Sequence, residues 1–223
     1  MAEVSELYDK SVKCPVCRNH FTTKKVRSSK LKLVKRDEDF LNYYQGENPI
    51  KYSVFVCPNC GYAAREPKFD SITENKIGIV LGNITPRWNK RDFGGERDFD
   101  KAIEAYKLAL VTGMAIHASH LELGNICLHI GWLYRLKENS AEEKRFLTMA
   151  RDNFIESYNR ESFFDSNFNE SKLTYLIGEL SRRINDKEKA MIWLNTCIQL
   201  SSTKMNPIID EMAREQWRKV KEM

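Results

Sequence analysis

No uninterrupted apolar run in this chain approaches the ~20 residues that a bilayer-spanning helix needs, so no transmembrane segment is expected. The stretch from Met1 to Lys13 has no apolar core of the secretory kind, and a signal peptide is not expected either. Both absences point to the cytoplasm, whose reducing poise disfavours a disulfide framework. On that basis the Asn-x-Ser/Thr triplets at Asn83 and Asn169 carry little meaning. Catalytic signatures are missing too. There is no G-x-S-x-G, no H-E-x-x-H and no Rossmann fingerprint, and Gly94-Gly95 is not followed by a Lys-Ser/Thr pair. An enzyme is therefore not the favoured class. Apolar residues at 42% and charged residues at 30% suit a folded globular chain, and 223 residues allow one large domain or two small ones.

What the chain does have is a pair of knuckles, Cys14-Pro15-Val16-Cys17 and Cys57-Pro58-Asn59-Cys60. A C-x2-C pair puts two thiolates on one tight turn, where both reach the same ion. Two such pairs supply the four soft ligands of a closed tetrahedral zinc site. The 39 residues between the pairs suit knuckles carried on separate hairpins. Gly61, directly after the second pair, can take the positive φ that turns backbone N–H groups toward the sulfurs. A thioredoxin-like pair would open a helix after a strand, which two pairs in the first 60 residues fit poorly. His20 lies three residues past Cys17, but four thiolates close the shell without it. A closed shell leaves no position for water or substrate. Cys14, Cys17, Cys57 and Cys60 are thus expected to bind a structural Zn2+ rather than to catalyse.

Charge is unevenly spread. Ten of the basic residues fall between Lys10 and Arg36, where there is no acidic residue, although the whole chain carries only +5. The remainder is therefore net acidic by about five charges. Four thiolates around Zn2+ leave a local −2, which Lys13 and Arg18 partly answer. The other cations are mixed with Phe21, Leu31, Leu33 and Val34, and Tyr43, Tyr44 and Tyr52 follow. Such a mixture can track a phosphate backbone and stack bases, with Lys24, Lys25, Arg27 and Lys30 as candidate contacts. It can equally be the solvated face of a ribbon or a dock for an acidic protein. Nucleic acid is an alternative partner on this reading, and a protein is the first choice.

The expected fold class is α+β, with a β-rich zinc-ribbon-like module over 1–70 and an all-α, tetratricopeptide-like domain of helical hairpins over 71–223. Strands are expected at Lys30–Leu33 and Lys51–Val56, with a loop over Tyr43–Pro49. A module this small gains from a metal staple. Seven helices should follow. The first opens at a Ser71-x-x-Glu74 capping box, and Thr85–Arg97 links it to a helix capped by Asp98 or Asp100 and ended by Gly113. A long helix is expected from about Met114 to Lys137, then helices from Ser140, Lys172, Lys187 and the Asn206-Pro207 start. Gly178, Ala190, Leu194 and Cys197 match tetratricopeptide spacing. Gly131, Tyr134, Ala150, Phe154 and Ser157 repeat it, with seven extra residues assigned to the turn.

Several segments resemble one known family: Leu7-Tyr8-Asp9-Lys10, Cys14-Pro15-Val16-Cys17, Thr23-Lys24-Lys25-Val26-Arg27, Cys57-Pro58-Asn59-Cys60-Gly61-Tyr62-Ala63-Ala64 and Ile130-Gly131-Trp132-Leu133-Tyr134-Arg135. That family is a bacterial one catalogued only as a domain of unknown function. The resemblance covers nearly the whole chain and implies a cytoplasmic protein with a zinc-ribbon-like head and a helical-repeat body. It implies no activity, and only the two knuckles carry over residue by residue.

A third class, an enzyme, would have to use His117 and His120, expected three residues apart on one helix. His129 would be turned away from His120 by about 900° of helix, and Cys127 would lie about 10 Å further along the axis. One ion cannot collect these groups. Packed or solvated histidines, with Cys127 and Cys197 as small buried hydrophobes, are the plainer reading.

Overall fold

β-branched, aromatic and alternating residues build three antiparallel pairs in the computed structural model, which describes residues 5–161 and 170–223. Asn169 of the second Asn-x-Ser/Thr triplet lies outside the described residues. Leu7–Lys13 (β1) pairs with His20–Val26 (β2), with Leu7 opposite Val26 and Lys13 opposite His20. Lys32–Arg36 (β3) pairs with Asn42–Gln45 (β4), and Val54–Val56 (β5) pairs with Ala63–Arg65 (β6). Each pair is a separate two-stranded sheet. The expected strands are shifted. Lys30 belongs to a 3-10 turn over Ser28–Lys30, and Pro49–Tyr52 forms another, capped by the Asn48 side chain. The expected loop at Tyr43 is strand β4, because aromatic residues there pair with β3.

The helices are Glu66–Phe69 (α1), Glu74–Asn83 (α2), Phe99–Ala115 (α3), His120–Leu136 (α4), Ser140–Arg160 (α5), Glu170–Arg183 (α6), Lys187–Gln199 (α7), Ser201–Lys204 (α8) and Pro207–Glu222 (α9). The fold class is α+β. The Ser71 capping box does not form: α2 begins after Thr73 without a side-chain cap, and the Ser71 hydroxyl donates to the Lys68 carbonyl. Asp98 rather than Asp100 caps α3, accepting from the Lys101 N–H at 2.7 Å. Gly113 is buried inside α3 instead of ending it. Asp186 and Asn206 cap α7 and α9, and Pro207 takes the first helical position as expected.

Two compact units divide the chain. The first runs to Arg36 and adds Asn42–Ala118 and Trp132–Asn139; the second holds Asp37–Leu41, Ser119–Gly131 and the residues from Ser140 onward. Residues 70 and 71, where a module boundary was expected, both lie inside the first unit. Its core joins Val12, Phe55, Tyr62 and Phe69 to Val80, with Ile77 and Ile116 packed against them. Helix α3 lies against β5 and β6. In the second unit α6 packs on α5, α7 and α9, around Tyr175, Ala190, Leu194, Cys197 and Ala213.

Two helical turns are built alike. At the end of α4 the N–H groups of Lys137, Glu138 and Asn139 donate to the carbonyls of Leu133, Arg135 and Tyr134. At the end of α6, Ile184, Asn185 and Asp186 donate to Leu180, Arg182 and Ser181. Glu138 and Asn185 both adopt positive φ, at 58° and 66°. A methyl group on Gly131 would meet Leu147 at 2.7 Å, and one on Gly178 would meet Leu194 at 2.7 Å. The seven extra residues therefore do not sit in the first turn. Seven residues are about two helical turns, so a pattern displaced by that amount keeps its face and mimics an insertion.

Candidate metal centre

Each knuckle is the tip of a hairpin: Cys14 follows β1 and Cys57 follows β5. The two tips repeat one geometry. The N–H of Cys14 donates to the carbonyl of Asn19 at 2.9 Å, and that of Cys57 to the carbonyl of Tyr62 at 2.8 Å. The N–H of Arg18 returns to the carbonyl of Cys14, and that of Gly61 to the carbonyl of Cys57, both at 3.0 Å. Closing this loop needs a left-handed residue after the second cysteine, and Arg18 (φ 62°) and Gly61 (φ 77°) supply it. The amides of Val16 and Cys17 then point at the Cys14 sulfur, and those of Asn59 and Cys60 at the Cys57 sulfur. Oriented dipoles of this kind favour thiolate.

The tips face each other. All four sulfurs lie within 4.8 Å of one another, with Cys14–Cys60 at 3.7 Å and Cys17–Cys57 at 3.5 Å. Cys14, Cys57 and Cys60 are buried, and the Asn59 side-chain amide reaches the half-buried Cys17 sulfur at 3.5 Å. Hydrogen bonds from the Cys14 and Cys60 thiols hold Cys57 far below an ordinary thiol, to about 2. Hydrogen bonding with Cys57 pushes Cys14 up to about 12, and Cys14 and Cys57 together push Cys60 up. Four thiolates cannot coexist in this volume without a cation between them. The cluster can hold one metal ion.

The segment expected as a linker after α2 covers this centre. Thr85 donates its hydroxyl to the Cys60 carbonyl at 3.1 Å, and the Trp88 indole N–H donates to the Pro58 carbonyl at 2.9 Å. The Trp88 ring lies so close to Gly61 that an added methyl group would meet it at 2.6 Å. Gly61 therefore serves twice, for its φ and for this approach. Arg91 stacks on Trp88 at 5.1 Å. A second unexpected residue is Arg97, a buried guanidinium donating to the carbonyls of Phe93, Lys51 and Val54 and to the Thr23 hydroxyl. Burial lowers it to about 10. It ties β2, β5 and the start of α3 together. Nothing in the sequence marks Thr85, Trp88 or Arg97, because their partners lie tens of positions away. Arg18 was legible, since laying one knuckle over the other puts it at the place of Gly61.

The candidate cations sit differently from one another. Lys24 pairs with Asp9 at 3.0 Å, and Lys25 binds Glu66 together with Lys10. Burial raises Glu66, but the hydrogen bonds from the two lysines outweigh it and hold the carboxyl below its usual range. Arg27 donates to the Ser5 carbonyl and covers Tyr8 at 5.3 Å. Lys30 ends a 3-10 turn.

The histidine arrangement is corrected outright. His117 is not helical; it is exposed at positive φ (48°) in the break between α3 and α4. The break arises because Ser119 accepts from the Glu122 N–H while the Glu161 carboxylate accepts from His120 and Leu121, starting a new helix at His120. His120 lines an open cavity of about 340 Å3 with Asp152, Asn153, Ile155, Glu156 and Lys189, and His117 is not part of it. The His129 ring bonds the Asn125 carbonyl. Cys127 is fully buried, and burial pushes its thiol up to about 12, out of nucleophilic range. The enzyme reading loses the shared helix it needed.

The family model described as "Uncharacterized protein conserved in bacteria (DUF2225)" matches residues 7–220. The chain belongs to this family. The resemblance seen in its knuckles and in Ile130–Arg135 is thereby confirmed. A similar protein, an "Uncharacterized protein" of Borreliella burgdorferi, is 23% identical over 164 residues. The match covers 66% of this chain and 59% of that protein, so the chain spans under two thirds of its relative's length. No solved structure matches this family member. Among its described residues, no helix is long and apolar enough to cross a membrane.

Proposed function

We propose that this protein is a non-catalytic interaction scaffold whose four knuckle cysteines hold one structural zinc ion. One observation carries the reading: Cys14, Cys17, Cys57 and Cys60 converge from two like-built hairpin tips and supply a complete four-sulfur shell. A tetrahedron with metal–sulfur distances of about 2.3 Å has edges of roughly 3.8 Å, close to the 3.7 Å and 3.5 Å pairs found here. Four thiolates leave zinc no open position for water or substrate, so the ion stabilises the fold. The helical hairpins, tetratricopeptide-like in their close-approach glycines, offer a groove for a segment of a cytoplasmic protein partner.

Elemental analysis of protein purified under reducing conditions tests the metal. We expect about one zinc per chain, and Cys57→Ser should lose it along with the protease resistance of the first unit. Protein free of transition metal would overturn the assignment, as would a coloured, iron-loaded sample.

A further inference from the structure

We infer that the β3–β4 hairpin is a docking surface for single-stranded nucleic acid, an inference that goes beyond the scaffold reading and does not rest on it. Every residue of β3 is exposed, whereas an ordinary hairpin buries one face. Its five residues are Lys32, Leu33, Val34, Lys35 and Arg36, so three cations flank two adjacent large apolar side chains. Leu33 and Val34 are 53% and 67% exposed. Neither strand holds an acidic residue. Pairing places Leu33 beside Tyr44, and Lys35 lies over the Tyr43 ring at 4.1 Å. Arg36 donates to the Asn42 side chain, whose amide in turn reaches the Tyr44 hydroxyl.

Three occupants compete for such a surface. A second copy of this chain would bring three cations against three cations, which opposes self-association. An added peptide strand needs a regular edge, yet the register slips between Leu33 and Lys35, and a bulge with edge lysines blunts strand addition. Single-stranded nucleic acid meets both halves of the surface: phosphates pair with Lys32, Lys35 and Arg36, while unstacked bases cover Leu33, Val34 and the tyrosine edges. A duplex would keep the faces of its bases stacked and away from Leu33 and Val34. The hairpin is also more accessible than Lys24 and Lys25, whose side chains are only 27% and 22% exposed.

Fluorescence anisotropy of the full chain with fluorescein-labelled U12 and dT12 tests this. Binding of either oligonucleotide is expected, and the two arms show whether the 2′-hydroxyl matters. Three phosphate contacts predict about an 18-fold weakening between 50 and 200 mM salt. Lys32→Glu/Lys35→Glu/Arg36→Glu should cost at least about tenfold, and so should Leu33→Ser/Val34→Ser. Lys24→Ala/Lys25→Ala should bind like the unaltered protein. The exposed positions leave the fold intact, which circular dichroism checks. The inference is overturned if neither oligonucleotide binds, if the hairpin variants bind as before, or if inorganic polyphosphate or a duplex of equal length binds as tightly.

Discussion

Arg18 and Gly61 close the two knuckles with the same left-handed turn, yet only glycine adopts it without steric cost. The Arg18 side chain is exposed, so the residue contributes little packing there. Arg18→Gly should therefore raise stability by about 1 kcal/mol, measured as a higher midpoint in chemical denaturation. A lower midpoint would mean that the arginine side chain holds the loop by a contact worth more than its strain. Arg97 shows the opposite case. Its buried guanidinium donates to the carbonyls of Phe93, Lys51 and Val54, and leaving a buried carbonyl without a donor is costly. Neither role depends on the residue's chemical reactivity; both follow from backbone geometry.

At the scale of elements, the segment between α2 and α3 does more than connect. Pro86, Gly94 and Gly95 mark it as irregular, but irregular chain can still be fixed by side chains. Thr85 and Trp88 hold it over the second knuckle through the carbonyls of Cys60 and Pro58. Trp88→Ala should open that cover and speed metal release to a chromogenic chelator by roughly tenfold or more. An unchanged release rate would show that the cover plays no part in retaining the ion. Strand β3 is the contrasting element, exposed throughout where Trp88 is packed, although β4 behind it is half-buried at Asn42, Tyr43 and Tyr44. Helix α4 shows why boundaries were misplaced: its start is set by Glu161, forty-one positions from His120. No local signal in Met114–Ser119 reveals a carboxylate arriving from that distance.

For the whole molecule, the four-cysteine cluster belongs to a larger core than its sequence position suggests. Cys14, Cys57 and Cys60 share that core with Phe69 and Val80, and Ile116 packs against it. Chelation should therefore remove hydrogen-exchange protection from β1, β2, β5 and β6, and also from α2 and the end of α3. Helices α6 and α7 have their own core and should stay protected. Protection lost only within residues 1–70 would sink this view, because the metal would then support the strands alone.

The chain's own order of residues was enough to single out the four cysteines that cluster, the α+β class, the family and most helices. Those features rest on short-range spacing: two thiols per tight turn, apolar faces at helical period, caps next to the turns they close. The Trp88 cover, the Arg97 clamp and the break at His117 came only with the tertiary structure. Each joins residues far apart in the chain, and the free energy that selects such pairs comes from packing and desolvation after the local elements have formed.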